Sequence, residues 1–202
     1  MVDRMLRPHK ERVLKPFAIG LKRVSPSAVT LAGLILGLGA AGALFINLPL
    51  LAFGLWLANR TLDGLDGEIA RLTEQQSDWG GYLDIMVDFI VYAAIPLAIA
   101  ARAPTPFVML SAIGMLAVYY VNTASWMYLA ALLEKRGRGG AALGERTSIT
   151  MPPGLIEGAE TIVVYGFFCL LPAYAPYLFI IMSVLLSVTV GQRLAWAHKH
   201  LR

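Results

Sequence analysis

Long apolar stretches, separated by short breaks rich in proline or charge, set the pattern of this chain. Measured against the ~20 residues that an α-helix needs to cross a hydrocarbon core, six stretches qualify, at roughly 28–47, 49–71, 80–101, 106–133, 154–171 and 175–197. Pro104, Pro152, Pro153 and Pro172 fall in the breaks, and Pro106 and Pro176 in the first turn of the stretches that follow, positions where a residue without an N–H bounds a helix cheaply. Residues 2–23 differ in kind. Met5, Leu6, Val13, Leu14, Phe17 and Leu21 are spaced to form one apolar stripe among seven basic residues, the pattern of a helix lying on an anionic membrane surface; Pro8 and Pro16 are expected to break or bend it. The predicted fold is therefore an all-α integral membrane protein. It has six transmembrane helices preceded by an N-terminal amphipathic juxtamembrane helix, in a single domain over 1–202 (juxtamembrane segment 1–24, bundle 25–202).

Composition agrees: 57% of the 202 residues are hydrophobic, with a mean hydropathy of +0.65. Charge adds a direction. Arg4, Arg7, Lys10, Arg12, Lys15, Lys22 and Arg23 precede the first stretch, Lys135, Arg136, Arg138 and Arg146 lie between the fourth and fifth, and Arg193, Lys199 and Arg202 end the chain. Connections of the other parity hold only Arg102. Lys and Arg concentrate on the cytoplasmic side, so six spans in a cytoplasmic membrane with both termini inside are expected. The basic ends sit beside phospholipid, and no nucleic-acid partner is expected. Cys169 is the only cysteine, so an intrachain disulfide is excluded, and His9, His198 and His200 lack metal-ligand spacing.

One segment breaks the apolar pattern. Asp63 and Asp66, three apart, end the second stretch, and Asp84 and Asp88, four apart, lie early in the third. Each pair shares a helix face. Intramembrane carboxylates are costly and by default functional, and four together repel one another unless a cation lies among them. Two such faces across a helical hairpin present hard oxygen donors suited to Mg²⁺ or Mn²⁺. Arg71, eight residues after Asp63, is placed to hold a phosphate, and Gly67 and Gly80 remove side-chain bulk beside the cluster. Arg60, just before it, is positioned to pair with an aspartate or touch phosphate. Metal-assisted phosphoryl transfer at a membrane surface is the chemistry these parts serve. Two other classes use membrane-embedded acids: a metal-dependent intramembrane prenyltransferase, and a cation or proton transporter. A prenyltransferase calls for a longer chain, and a transporter for acids spread through the membrane depth.

The pattern Asp63-x-x-Asp66-Gly67-x-x-Ala70-Arg71, then Gly80-x-x-x-Asp84-x-x-x-Asp88, resembles the signature of the CDP-alcohol phosphotransferases, membrane enzymes of phospholipid synthesis. The resemblance implies transfer of a substituted phosphate, such as a phosphatidyl group, from a CDP-linked lipid donor to a small alcohol acceptor, with release of CMP. It implies that Asp63, Asp66, Asp84 and Asp88 bind two Mg²⁺ or Mn²⁺ ions, that Asp88 is the general base, and that Gly67, Ala70, Arg71 and Gly80 line the CDP site. It also implies a homodimer, for which Gly33-x-x-x-Gly37 is a possible packing motif. Pro26-Ser27-Ala28-Val29-Thr30 is similar to the family's Pro-Asn-x-x-Thr stretch with Ser27 in place of Asn, which brings Thr30 toward the nucleotide.

For the acceptor pocket the candidates are Glu157, Glu160, Arg146 and Arg193. Glu157 and Glu160, i and i+3 at the start of the fifth stretch, would repel a phosphate. They favour a serine-like or neutral polyol acceptor, unless Arg146 or Arg193 reaches the pocket. Capping of the helix start is the competing role for these glutamates. Tyr119, Tyr120, Asn122, Thr123, Ser125 and Trp126 make the middle of the fourth stretch polar, either for a cavity or for interhelical hydrogen bonds.

Overall fold

The computed structural model describes residues 13–137 and 154–201. Among them regular structure is all helical: α1 at 13–20, then α2 (Pro26–Phe45), α3 (Pro49–Leu72), α4 (Asp78–Arg102), α5 (Pro106–Lys135) and α6 (Gly158–Leu170). A turn of 3₁₀ helix at Pro172–Tyr174 leads into α7 (Ala175–His200). Among the described residues, four segments are long and apolar enough to cross a membrane: α2, α4, α5 and the run Pro172–His200. The other two expected spans depart for identifiable reasons. Helix α3 has the length, at 24 residues, but carries Arg60, Asp63, Asp66, Glu68 and Arg71. Helix α6 has only 13 residues.

Local chemistry sets the helix boundaries. Proline occupies the first turn of α2, α3 and α5, where its missing N–H costs nothing. Ser77 and Thr105 cap α4 and α5 by accepting from the N–H groups of Gly80 and Val108. Helices α2 and α3 end alike: Asn47 and Glu74 take left-handed conformations (φ 64° and 56°). The next N–H returns to the helix, Leu48 N to Ala43 O at 2.8 Å and Gln75 N to Ala70 O at 2.9 Å, which satisfies a carbonyl otherwise left over.

Pro96 lies inside α4. It cannot donate to the carbonyl of Tyr92, four residues back, and that carbonyl instead accepts from the Tyr165 hydroxyl of α6 at 2.8 Å. The helix interruption is thereby turned into an interhelical bond.

Helix α2 packs on α3 and α4, α5 on α7, and α6 on α3. Gly33 and Gly37 of α2 point into the protein. A Cβ at Gly37 would overlap the Val91 side chain of α4, and one at Gly33 would approach Asn59. That stripe is spent on packing within the chain, so it gives a homodimer no support. Trp56, Tyr92, Tyr119, Tyr165, Phe168 and Phe179 form a connected aromatic core, with neighbouring ring centroids 4.8–6.5 Å apart. Trp56 Nε1 donates to Ile162 O at 3.2 Å, tying α3 to α6.

The N-terminal expectation is modified. Residues 2–12 lie outside the described residues. In α1, Leu14 and Ala18 are buried against Val29, Leu65 and Ile69, so this helix docks on α2 and α3. Val13 and Phe17 face outward, 63% and 64% exposed, not inward with Leu14. Pro16 sits within α1 without ending it.

Candidate active site

The acidic cluster forms where the C-terminal half of α3 meets the N-terminal half of α4, with α2 alongside. Their spacing in sequence gave each acid a helix face; the tertiary structure adds the partners. Asp66, 5% exposed, accepts from Thr30 Oγ1 of α2 at 2.6 Å and from the N–H of Gly67 at 2.5 Å. Thr30, likewise buried, therefore belongs to the acid cluster. Asp88 accepts through Oδ1 from Arg60 Nη2 at 2.8 Å. Asp63, one turn after Arg60 on the same helix, is farther from that guanidinium, at 3.7 Å. Asp63, Asp84 and Asp88 are only partly buried.

The reactive-site arginine anticipated from sequence, Arg71, donates from Nη2 to Glu68 Oε2 at 2.7 Å. Glu68 is buried and Arg71 about one-third exposed. A Cβ at Gly67 would stand 3.4 Å from Arg71 Nη1, an ordinary contact, so Gly67 adjoins this pair without being required by it. Gly80 belongs to the start of α4, where its N–H meets Ser77 Oγ at 3.1 Å. Ala70 is partly buried, and its carbonyl accepts the bond that ends α3.

Arg60 pairs with an aspartate, one of the two roles its place in the sequence suggested. Its guanidinium lies 4.8 Å from the Trp56 ring and 5.2 Å from the Tyr92 ring. Nε donates to Asn59 Oδ1 at 2.7 Å, and Nη1 to the Tyr92 hydroxyl at 3.1 Å. Asn59 in turn donates to Gly33 O at 2.8 Å. The sequence signal was present, an arginine three residues before the first aspartate, but it left open which aspartate it pairs with.

The donor set fits a hard divalent cation in kind: four carboxylates from two adjoining helices, already holding one fixed positive group between Asp63 and Asp88. Among the described residues, no three His, Cys, Asp or Glu side chains are drawn together at ligating distance.

Of the acceptor-side candidates, Glu157 and Glu160 stand at the start of α6 and Arg193 on α7. Glu157 and Glu160 form a capping box at the start of α6, with Glu160 accepting from the N–H of Glu157 at 3.1 Å. Both glutamates therefore fill the capping role that the sequence offered as the alternative to an acceptor-side one. Arg193 of α7 is buried and donates to Asn122 Oδ1 of α5 at 2.6 Å. Arg146 lies outside the described residues. In the middle of α5, Asn122 joins α7 and Tyr119 joins the aromatic core, whereas Tyr120 is 78% exposed.

Comparison with known proteins places this arrangement. The chain is 33% identical over 196 residues, 96% of its length and 93% of the relative's, to the inner membrane protein YnjF of Escherichia coli K12. Over 157 residues, 76% of this chain but 29% of the relative, it is 31% identical to a bifunctional IPC transferase and DIPP synthase of Archaeoglobus fulgidus. Its fold is similar to the crystal structure of a Mycobacterium tuberculosis phosphatidylinositol phosphate synthase with CDP-DAG bound (TM-score 0.70, 22% identity, covering 91% and 92% of the two chains). The CDP-alcohol phosphatidyltransferase family profile matches residues 23–191, a span that contains the whole acidic motif, and the chain belongs to that family of membrane transferases.

Proposed function

We propose that this enzyme transfers a phosphatidyl group from a CDP-diacylglycerol donor to the hydroxyl of a small alcohol, releasing CMP at the cytoplasmic face of the membrane. The observation that carries the reading is the meeting of Asp63 of α3, one turn before an Asp66 that Thr30 fixes, with Asp88 of α4 around the buried Arg60 guanidinium. The mycobacterial synthase of the same fold, with its bound CDP-DAG, supports the choice of donor. Family membership sets aside the prenyltransferase and transporter alternatives.

Asp63, Asp66, Asp84 and Asp88 are the residues to hold two Mg²⁺ or Mn²⁺ ions. Bound there, the ions would supply neutralisation of the pyrophosphate and polarisation of the attacked phosphorus. Arg71 binds donor phosphate, exchanging or sharing its bond to Glu68. Asp88 takes the proton of the acceptor hydroxyl as the new oxygen–phosphorus bond forms. The pyrophosphate oxygen–phosphorus bond breaks, and CMP leaves with the bonding pair. Arg60 already occupies Asp88 Oδ1, so Oδ2 is the oxygen assigned to the proton. The charge distribution along the chain supports crossing by α3 and α6 as well, six spans in all with both termini and the site cytoplasmic.

Purified protein with Mg²⁺ or Mn²⁺ and CDP-diacylglycerol, offered serine, inositol, glycerol, glycerol phosphate or inositol phosphate, tests this by CMP release. Release with any one acceptor supports the reading and names the acceptor class. Failure both to bind CDP-diacylglycerol and to release CMP overturns it. Asp88→Asn is expected to lower turnover at least ~10²-fold, the usual worth of a general base. Unaltered turnover would remove Asp88 from that role.

A further inference from the structure

Arg60 lies outside the motif that carries the family resemblance, yet it is the most heavily constrained side chain near the acids. It is 7% exposed, lies near the Trp56 and Tyr92 rings, and is bonded through all three of its nitrogens. Stability alone is a poor reason to keep it. A buried ion pair repays its desolvation badly, and an apolar residue against the same rings would serve packing as well or better. Its bonds also run in a consistent direction. Gly33 O of α2 orients Asn59, Asn59 orients Nε, Tyr92 of α4 holds Nη1, and the remaining Nη2 reaches Asp88 rather than Asp63.

We propose that Arg60 is a positioning residue of the reaction centre: it clamps Asp88 through Oδ1 and acts as the internal counter-ion of the acidic motif. The inference rests on the reading that the four aspartates hold a divalent cation. Two consequences have opposite signs, and they separate this role from a structural one. The fixed positive charge opposes an incoming divalent cation, while the clamp keeps Asp88 in the geometry that turnover needs.

The test is Mn²⁺ affinity by calorimetry without nucleotide, alongside kcat for CMP release, in the full-length detergent-solubilised protein. Arg60→Gln is expected to bind Mn²⁺ roughly tenfold or more tightly, because a like charge is gone from a low-dielectric site. Its kcat should fall by about 10²-fold, the scale for a group displaced by about 1 Å. Arg60→Lys keeps the charge but loses the planar fork; Mn²⁺ affinity should stay within about threefold of the original while kcat falls about tenfold. Parallel weakening of Mn²⁺ binding and kcat in Arg60→Gln, or unchanged values of both, overturns the proposal. If Arg60→Gln does not fold, Arg60→Lys decides: a kcat drop at constant Mn²⁺ affinity supports the proposal, and unchanged kcat refutes it. Asp84→Asn is the control for the underlying reading. If it leaves Mn²⁺ affinity intact, the metal site itself is misassigned and this inference falls with it; if it weakens Mn²⁺ binding, any failure of the Arg60 variants belongs to this inference alone.

Discussion

Removing the Tyr165 hydroxyl probes whether the bond to Tyr92 O offsets the proline inside α4. Tyr165 is fully buried and its hydroxyl is 2.8 Å from that carbonyl. Tyr165→Phe leaves the ring in its packing with Trp56 and Phe168 but strips the carbonyl of its interhelical donor, while Pro96 denies it the usual helical one. A buried acceptor left without a partner costs about 1–3 kcal/mol. For a chain of this size, where 1 kcal/mol moves Tm by about 2–4 °C, Tm should fall by about 2–12 °C. The decisive comparison adds Pro96→Ala, which returns an N–H able to bond Tyr92 O. In that background Tyr165→Phe should cost less, with a coupling energy of roughly 0.5–3 kcal/mol, as expected of two groups sharing one partner. Thermal melts of the four proteins in one detergent measure the cycle. Equal costs of Tyr165→Phe in both backgrounds would refute the reasoning, as would a single variant melting within about 1 °C of the parent.

Two further outcomes can be measured in the same preparation. Thr30→Val puts a methyl where the hydroxyl stands 2.6 Å from Asp66 Oδ2. Carbon needs roughly 3.3 Å from oxygen, so the carboxylate must move by about 0.7 Å and kcat should fall about 10–10²-fold, whereas Thr30→Ser should stay within about twofold; similar kcat values for the two would show that the hydroxyl does not position Asp66. Glu160→Ala should lower stability by about 1 kcal/mol through loss of the capping bond to Glu157 and leave the acceptor KM unchanged. A changed KM for one acceptor class would return Glu160 to the pocket.

Hydrophobic pattern and proline placement made the helices legible. The expected stretch at 106–133 became Pro106–Lys135, and that at 175–197 became Ala175–His200. The acidic motif was legible because charge in an apolar chain is costly and its spacing is helical. Partner choice was not. Spacing gives the face of a residue but not its neighbour on another helix, so it left open which aspartate pairs with Arg60, and the shorter bond crosses to Asp88. The same blindness applied to Gly33 and Gly37, whose bare surface is compatible with an external partner or, as found, with Asn59 and Val91. For Glu157 and Glu160 the signal lay in the sequence, as an acidic pair bracketing a helix start. Charge repulsion and capping drew on the same two residues, and the N–H geometry shows the capping role filled.

The polar cargo of α3 bears on how the protein enters its membrane. Arg60 stands near the middle of a 24-residue helix, and an arginine or aspartate at the centre of an inserting segment costs about 2.5–3.5 kcal/mol. Alone at the translocon, α3 would be a poor candidate for lateral release. Its polar groups are met by neighbours on both sides in the chain: Gly33 O and Thr30 from α2, which emerges first, and Asp88 from α4, which emerges next. In the six-span arrangement proposed above, the order of synthesis thus favours holding α3 until α4 is made and passing the three helices into lipid as one unit, so that a substitution at Asn59, Arg60 or Asp88 should disturb biogenesis as well as catalysis.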